Sequence, residues 1–476
     1  MLSLTGLSKA VERPARRELL RVGSLSLFTG MTVPRLLAAT SAVGPDRQQH
    51  VRSVVLFNLL GGPSHQDMFD LKPLAPVEIR GEFKSIETSL PGLNICEHLP
   101  QTARIMHKAC LIRSVTHNYN AHNPLNIMTG FCGGDPKQLR PEKSDPPDIG
   151  AVCQYLDMGP DDMPGAFCLP CYPGWGERSQ YPGIRRPGPY GGFLGSQYDP
   201  LFSVCKPTFA RIPKRKYYDP VWPMGEPILP VDDLQAELTL GRLNQRRSLL
   251  QQFDDRLRRI DGEAVNRMDR VKRQAFTMIQ SSRTRDAFDL SEESGRTRER
   301  YGRNLHGSSM LVARRLVEAG VPFISVHAEN FIPYGFTYDM HENNFGMLRD
   351  YNLPVLDRCY PALIADLESR GLLESTLVVV MGEMGRSPKV NAKAGRDHWP
   401  QCGFCLLTGG GVKPGFVFGA TDQHASLPIR DSVSPSDIVA TIYFLLGINP
   451  HMTVADPLGR PVPIAHGGNV MHEIIA

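Results

Sequence analysis

Beyond its N-terminus the chain has no run of about 20 apolar residues, the length needed to cross a bilayer, so no transmembrane span is expected in the mature protein. It also lacks an excess of one charge. The 476 residues hold 53 Lys and Arg against 49 Asp and Glu, a formal net of +4. Positions 1–40 carry six of the basic residues (Lys9, Arg13, Arg16, Arg17, Arg21, Arg35) and two acids (Glu12, Glu18), and setting them aside leaves 47 of each sign. A neutral remainder gives no reason to propose nucleic acid as a partner. Nor do the ten cysteines form a convincing four-thiol zinc pattern. Cys168/Cys171 and Cys402/Cys405 have the right spacing, but both pairs lie on segments that read as strands. Side chains three apart on a strand point to opposite faces. Buried thiols or ordinary disulfides come first, and spacing alone does not give a pairing.

What the N-terminus does have is an address. Arg16-Arg17 stands ahead of a moderately apolar stretch, Val22 to Val33, which runs on to the small residues Ala38-Ala39. A basic region, an apolar core and small residues near a cleavage point make a signal peptide. The arginine pair is that of a twin-arginine signal for folded proteins. The expected division is a signal over 1–42 and a domain over 43–476, exported to the periplasm or beyond the cell.

Within the domain, short apolar runs alternate with helical patterns. Val51–Leu60, Ala109–Val115, Val321–His327, Leu372–Met381 and Gly403–Thr408 read as buried strands. Cys96–Lys108, Ile149–Leu156, Met347–Arg370 and a helix capped by Ser434 read as helices. Alternation of this kind predicts an α/β fold, with a mostly parallel sheet covered on both faces. Two stretches interrupt it. One is a Gly/Pro-rich insertion at about 131–230, long enough to suggest a lid or binding surface. The other is an Arg-, Glu- and Leu-rich helical insertion at about 231–318.

Ligands in open α/β sheets gather outside the carboxyl ends of the strands. Polar residues follow several of these ends: His65, Asp67 and Asp70; His117 and His122; His327 with Asp339 and His341; Glu383, Arg386, Arg396, Asp397 and His398. Imidazoles and carboxylates converging from separate strands suit zinc, manganese or iron, and an oxygen-rich subset suits calcium. The candidate metal ligands are Asp339, His341, Glu383, Asp397 and His398, with His65 and Asp67 contributing. Arg386 and Arg396 are the candidate clamps for an anionic group. His122 is the candidate general acid/base or unconventional nucleophile.

The motifs GGPSHQDMFDLKP (Gly61–Pro73), EIRGEFKSI (Glu78–Ile86), DMHENNF (Asp339–Phe345), GEMGRSP (Gly382–Pro388) and GRDHWP (Gly395–Pro400) resemble, in this order, those of an exported bacterial family. It is the "domain of unknown function 1501" family of planctomycete-type bacteria, grouped with the alkaline phosphatase and sulfatase superfamily. The resemblance implies a three-layer α/β/α sandwich. It implies an Asp339/His341 ligand pair and His398 as a late metal histidine. It also marks departures. Leu60 and Gly61 stand where two metal-binding aspartates belong, Glu383 and Met384 replace an Asp-His pair, and Asn120 takes the place of the nucleophile. The function expected is a metal-dependent hydrolase acting on phosphate or sulfate esters, including those of polysaccharides, by a non-standard route. The alternative is a catalytically inactive relative that binds envelope polysaccharide.

Overall fold

The computed structural model describes residues 49–170, 186–212, 214–215, 218–230, 281–328 and 338–476. The expected signal segment 1–42, residues 231–280 of the expected helical insertion and Cys171 lie outside the described residues.

Eight strands build the central sheet: β1 (Ser53–Asn58), β2 (Ala109–Val115), β3 (Ala166–Leu169), β4 (Leu201–Phe202), β5 (Phe323–His327), β6 (Thr376–Met381), β7 (Gly403–Gly409) and β8 (Phe416–Phe418). Their order across the sheet is β8-β2-β7-β6-β1-β5-β3-β4. Every pairing is parallel except those of β7, which runs against both β6 and β2. The central strands are buried on both faces, so their sequences (SVVLFN, TLVVVM) are continuous apolar runs.

Alternation along these strands feeds two cores. Val55, Phe57, Val378 and Val380 face one side and pack with Met310, Leu311, Leu363 and Leu367. Val54, Leu56, Leu377 and Val379 face the other and pack with Ile149, Val152, Ile438 and Ile442. The helices that supply these partners are α1 (Ile149–Tyr155), α2 (Leu305–Glu318), α3 (Leu353–Ser369) and α4 (Pro435–Leu445). A strand between two covered faces thus makes the α/β/α sandwich expected from the sequence. Full burial of a Val or Leu side chain stabilises by about 1.5–3 kcal/mol, so a charge at Val379 would break both the pairing and the second core. Helix α4 starts at a capping box in which Ser434 and Asp437 satisfy each other's backbone N–H groups.

One detail differs from the sequence reading. Cys96–Lys108 is not one helix but the end of a short strand, a turn of helix at Pro100–Ala103 and a 3₁₀ turn at Met106–Lys108. Pro100 lacks an N–H and crowds the preceding turn, and it stands at the start of its own helical turn rather than inside a helix begun at Cys96. The loop-rich stretch 131–230 contributes α1, β3 and β4 to the body of the sandwich. The described part of 231–318 forms helices at Ser282–Phe288 and Gly295–Tyr301 before α2. The nine described cysteines are free thiols. Among the described residues no helix is long and apolar enough to cross a membrane.

Candidate metal centre

The parallel strands deliver their following loops to one end of the sheet. After β1 the chain turns at Gly61 and Gly62, with φ of 107° and 77°. A Cβ on Gly62 would lie 2.8 Å from Met384 Cγ, so glycine is required for the β1 turn to approach the loop after β6. After β6, Gly385-Arg386 pairs antiparallel with His398-Trp399, which sets Arg386 opposite His398. The loop after β2 carries Asn120 and His122, and Asp339 and His341 follow β5 in sequence.

These loops bring three imidazoles to one carboxylate oxygen. From Asp339 Oδ1 the distances are 3.2 Å to His122 Nε2, 3.1 Å to His341 Nε2 and 3.4 Å to His398 Nε2. His341 Nε2 and His398 Nε2 are 3.0 Å apart. The ligating atoms of His122, Asp339 and His398 all lie within 4.8 Å of one another.

The other ring nitrogens explain the convergence. His122 Nδ1 lies 2.7 Å from Glu383 Oε1, His341 Nδ1 2.9 Å from Asp397 Oδ1, and His398 Nδ1 3.0 Å from Asn120 Oδ1. Each partner is an oxygen acceptor, which suits a proton on each Nδ1 and would leave each Nε2 free to offer a lone pair to an ion. His122 Nε2 is buried and makes no aligned hydrogen bond. Lone pairs facing each other at these distances repel unless a cation, or a shared proton, lies between them. Without a metal ion the proton is favoured. Burial alone would lower the pKa of His122, but Asp339 and Glu383 outweigh it and the pKa is raised. His341 is raised by its hydrogen bond to Asp339. His398 is lowered by burial. The Asp339 carboxyl is held far below the usual range, because the three histidines facing it override its burial.

The remaining predicted residues occupy other roles. Glu383 is fully buried; its carboxylate accepts the Gly61 N–H at 2.8 and 3.1 Å and orients His122. It stands behind His122, as Asp397 stands behind His341. Asp67 accepts two hydrogen bonds from Arg396, at 2.7 and 2.8 Å, and others from Ser64 and Asn344. His65 is buried, its Nε2 lies 2.8 Å from the Ala425 carbonyl, and burial lowers its pKa. Neither His65 nor Asp67 joins the centre. The expected anion clamps, Arg396 and Arg386, both turn inward. Arg396 is fully buried, and beyond Asp67 it donates to the Ser387, Pro388 and Ile79 carbonyls. Arg386 is also fully buried and donates to the carbonyls of Gly61, Gly62 and Arg396 and to Asp339 Oδ1. Guanidinium groups spent on protein oxygens cannot grip a ligand. The pairing of His122 with Glu383, 261 positions away, has no local signal in the sequence.

Residues 51–475 match the model of a family described as "Protein of unknown function (DUF1501)". No curated protein matches the chain. Among solved structures, the PsFucS1 sulfatase from Pseudoalteromonas sp. is 11% identical over 92% of this chain and 73% of that one, with a TM-score of 0.36. A structure described under the metabolism of multiple glycosaminoglycans by Bacteroides thetaiotaomicron is 12% identical over 84% and 73%, with a TM-score of 0.35. The phosphonate monoester hydrolase SpPMH from Silicibacter pomeroyi is 11% identical over 89% and 76%, with a TM-score of 0.31.

Proposed function

The chain belongs to the DUF1501 family, and we propose that it is an exported, metal-dependent hydrolase of phosphate or sulfate esters. The observation that carries the metal dependence is the set of three imidazole Nε2 atoms within 3.4 Å of Asp339 Oδ1. In a tetrahedral zinc site with bonds of about 2.0–2.1 Å, ligand atoms are about 3.4 Å apart. The separations from Asp339 Oδ1 to the three Nε2 atoms, and that between His341 and His398, are of that size at 3.0–3.4 Å. The donor chemistry also fits, because imidazole nitrogens with one carboxylate suit zinc, manganese or iron better than calcium. His122, His341, His398 and Asp339 would hold the ion, which supplies Lewis acidity toward an ester oxygen and toward water.

The residues behind the ligands do the protein's part. Glu383, Asp397 and Asn120 fix which nitrogen of each imidazole faces inward, as acceptors behind metal-bound histidines do. His341, with 41% of its side chain exposed, and Asp397, with 61%, form the solvent-facing rim, where a substrate proton would be taken up or released. The ester class rests on the motif resemblance, and export on the N-terminal arginine pair. With Arg386 and Arg396 buried, attraction of an anionic ester falls to the ion itself.

One observation favours a second reading, a non-catalytic module that binds envelope polysaccharide. The side chain facing His398 Nδ1 is Asn120, and an amide cannot serve as a nucleophile.

The test is metal analysis of protein purified without chelator, followed by a screen of phosphate and sulfate esters. About one equivalent of zinc, manganese or iron, as one four-ligand site requires, lost in His398→Ala and accompanied by ester turnover, is the expected result. A folded chain that takes up no divalent ion would sink the metal-dependent reading. Stoichiometric metal with no turnover of any ester would move the assignment to the binding module.

A further inference from the structure

Arg386 has no access to solvent, and its surroundings are unusual for a guanidinium. Three of its acceptors are backbone carbonyls, those of Gly61, Gly62 and Arg396. Carbonyls are dipoles and cancel no formal charge. The carboxylate that meets it is Asp339, with Nη2 to Oδ1 at 2.6 Å. A buried charge needs a counter-charge as well as hydrogen bonds, and here that counter-charge is the oxygen on which the three histidines converge. A guanidinium N–H also faces His341 Nε2 at 3.5 Å. The oxygen-lined cage thus holds a cation fixed by a covalent tether at the edge of the centre.

We propose that Arg386 is a resident cation that shares Asp339 Oδ1 with the metal ion and so holds the ion's affinity down; this rests on the metal reading above. Two cations drawing on one carboxylate oxygen repel each other, and that repulsion is a negative coupling between them. When the ion leaves, Arg386 keeps Asp339 paired and in place, so the centre exchanges its ion without leaving a buried carboxylate uncompensated. Arg386 is therefore a positioning residue, acting through Asp339. The sign of the expected effect separates this role from a structural one. Loss of an ordinary supporting residue weakens metal binding, whereas loss of a competing cation strengthens it.

The experiment measures the zinc Kd of the mature chain by chelator competition for wild type, Arg386→Gln and Arg386→Lys, with the Tm of each zinc-free protein. Gln keeps hydrogen-bond donors and removes the charge, and is expected to bind zinc at least about tenfold more tightly, with a lower zinc-free Tm. Lys keeps the charge and is expected to tighten zinc binding less than Gln does. A Gln variant that binds zinc equally or more weakly overturns the proposal, as does a Lys variant that tightens as much as Gln. Should Gln not fold, Arg386→Gly is titrated with guanidinium ion, which should raise the zinc Kd as it refills the cage, and an unchanged Kd overturns the proposal. A wild type with no zinc affinity, indistinguishable from Asp339→Asn, overturns the metal reading itself rather than this refinement.

Discussion

Replacing Glu383 by Gln changes one atom type in a site that places that atom tightly. Oε1 accepts from His122 Nδ1 at 2.7 Å and from the Gly61 N–H at 2.8 Å, while Oε2 lies 3.1 Å from the same Gly61 nitrogen. The amide oxygen of Gln can take the Oε1 position. Its NH₂ group then occupies the Oε2 position, donor facing donor against Gly61. The alternative rotamer puts the NH₂ against His122 Nδ1 and favours the tautomer with the proton on Nε2, which removes the lone pair that a metal needs. A hydrogen bond to a charged acceptor contributes about 1.5–3 kcal/mol and a neutral one about 0.5–1.5. The loss is then about 1–2 kcal/mol, in line with the roughly 10–100-fold drop in metal affinity seen when such outer partners are removed. Asp397→Asn makes the same chemical change behind His341 but at a largely exposed carboxylate, where solvent screening leaves less than about 1 kcal/mol at stake. Chelator competition with zinc at pH 7.5 reads both variants, and imidazole ¹⁵N shifts report the His122 tautomer. Equal affinities for wild type and Glu383→Gln, or a larger loss for Asp397→Asn, would refute the assignment of Glu383 as the orienting partner.

Other expectations follow from the scaffold. Arg396→Ala leaves Asp67 buried without its partner and should cost about 3–5 kcal/mol in urea unfolding; the double variant Arg396→Met, Asp67→Asn should recover part of that, and a single-variant loss below about 1 kcal/mol would contradict the pairing. His306 and His327 are buried and pushed down by burial to about 4 and about 3. The unfolded chain takes up those protons near pH 6.5 and the folded chain refuses them. Their stabilisation is therefore intact above pH 6.5 and declines as pH falls toward 4, by up to about 1.4 kcal/mol per unit for each. Denaturation midpoints that do not move between pH 7.5 and 5 would contradict this. Gly62→Ala forces a side chain into a left-handed backbone position and against Met384. It should lower stability by about 1–3 kcal/mol, and a neutral result in thermal melts would show that the β1 turn is free to move.

Much of the fold was legible because burial on both faces leaves a plain signature. TLVVVM and SVVLFN admit few readings other than core strands, and Ser434 with Asp437 announces the start of α4. Where the reading slipped, at Cys96–Lys108, the apolar spacing was helical but Pro100 divided it, a local veto that outweighs periodicity. The short strand β4, two residues long, had no pattern to read. Its place comes from pairing with β3 across the sheet edge.

The candidate site shows a different limit. That histidines and carboxylates meet at the strand ends followed from topology, and Asp339, His341 and His398 do meet. Which acids touch the centre and which stand behind it did not follow, because Asp67, Glu383 and Asp397 look alike in sequence. The division is made by reach and by competing donors. Gly61, lacking a side chain, turns its N–H onto Glu383 and holds that carboxylate back from the cluster, where it can only orient His122. Arg396 draws Asp67 away with two hydrogen bonds from 329 positions along the chain. Asp339, by contrast, gives Arg386 a single oxygen, at 2.6 Å, and that Oδ1 still lies where the three imidazoles meet. The same residue types thus become ligand, orienting partner or structural ion pair according to which cation reaches them first. An aspartate at position 61 would remove the glycine N–H geometry that holds Glu383.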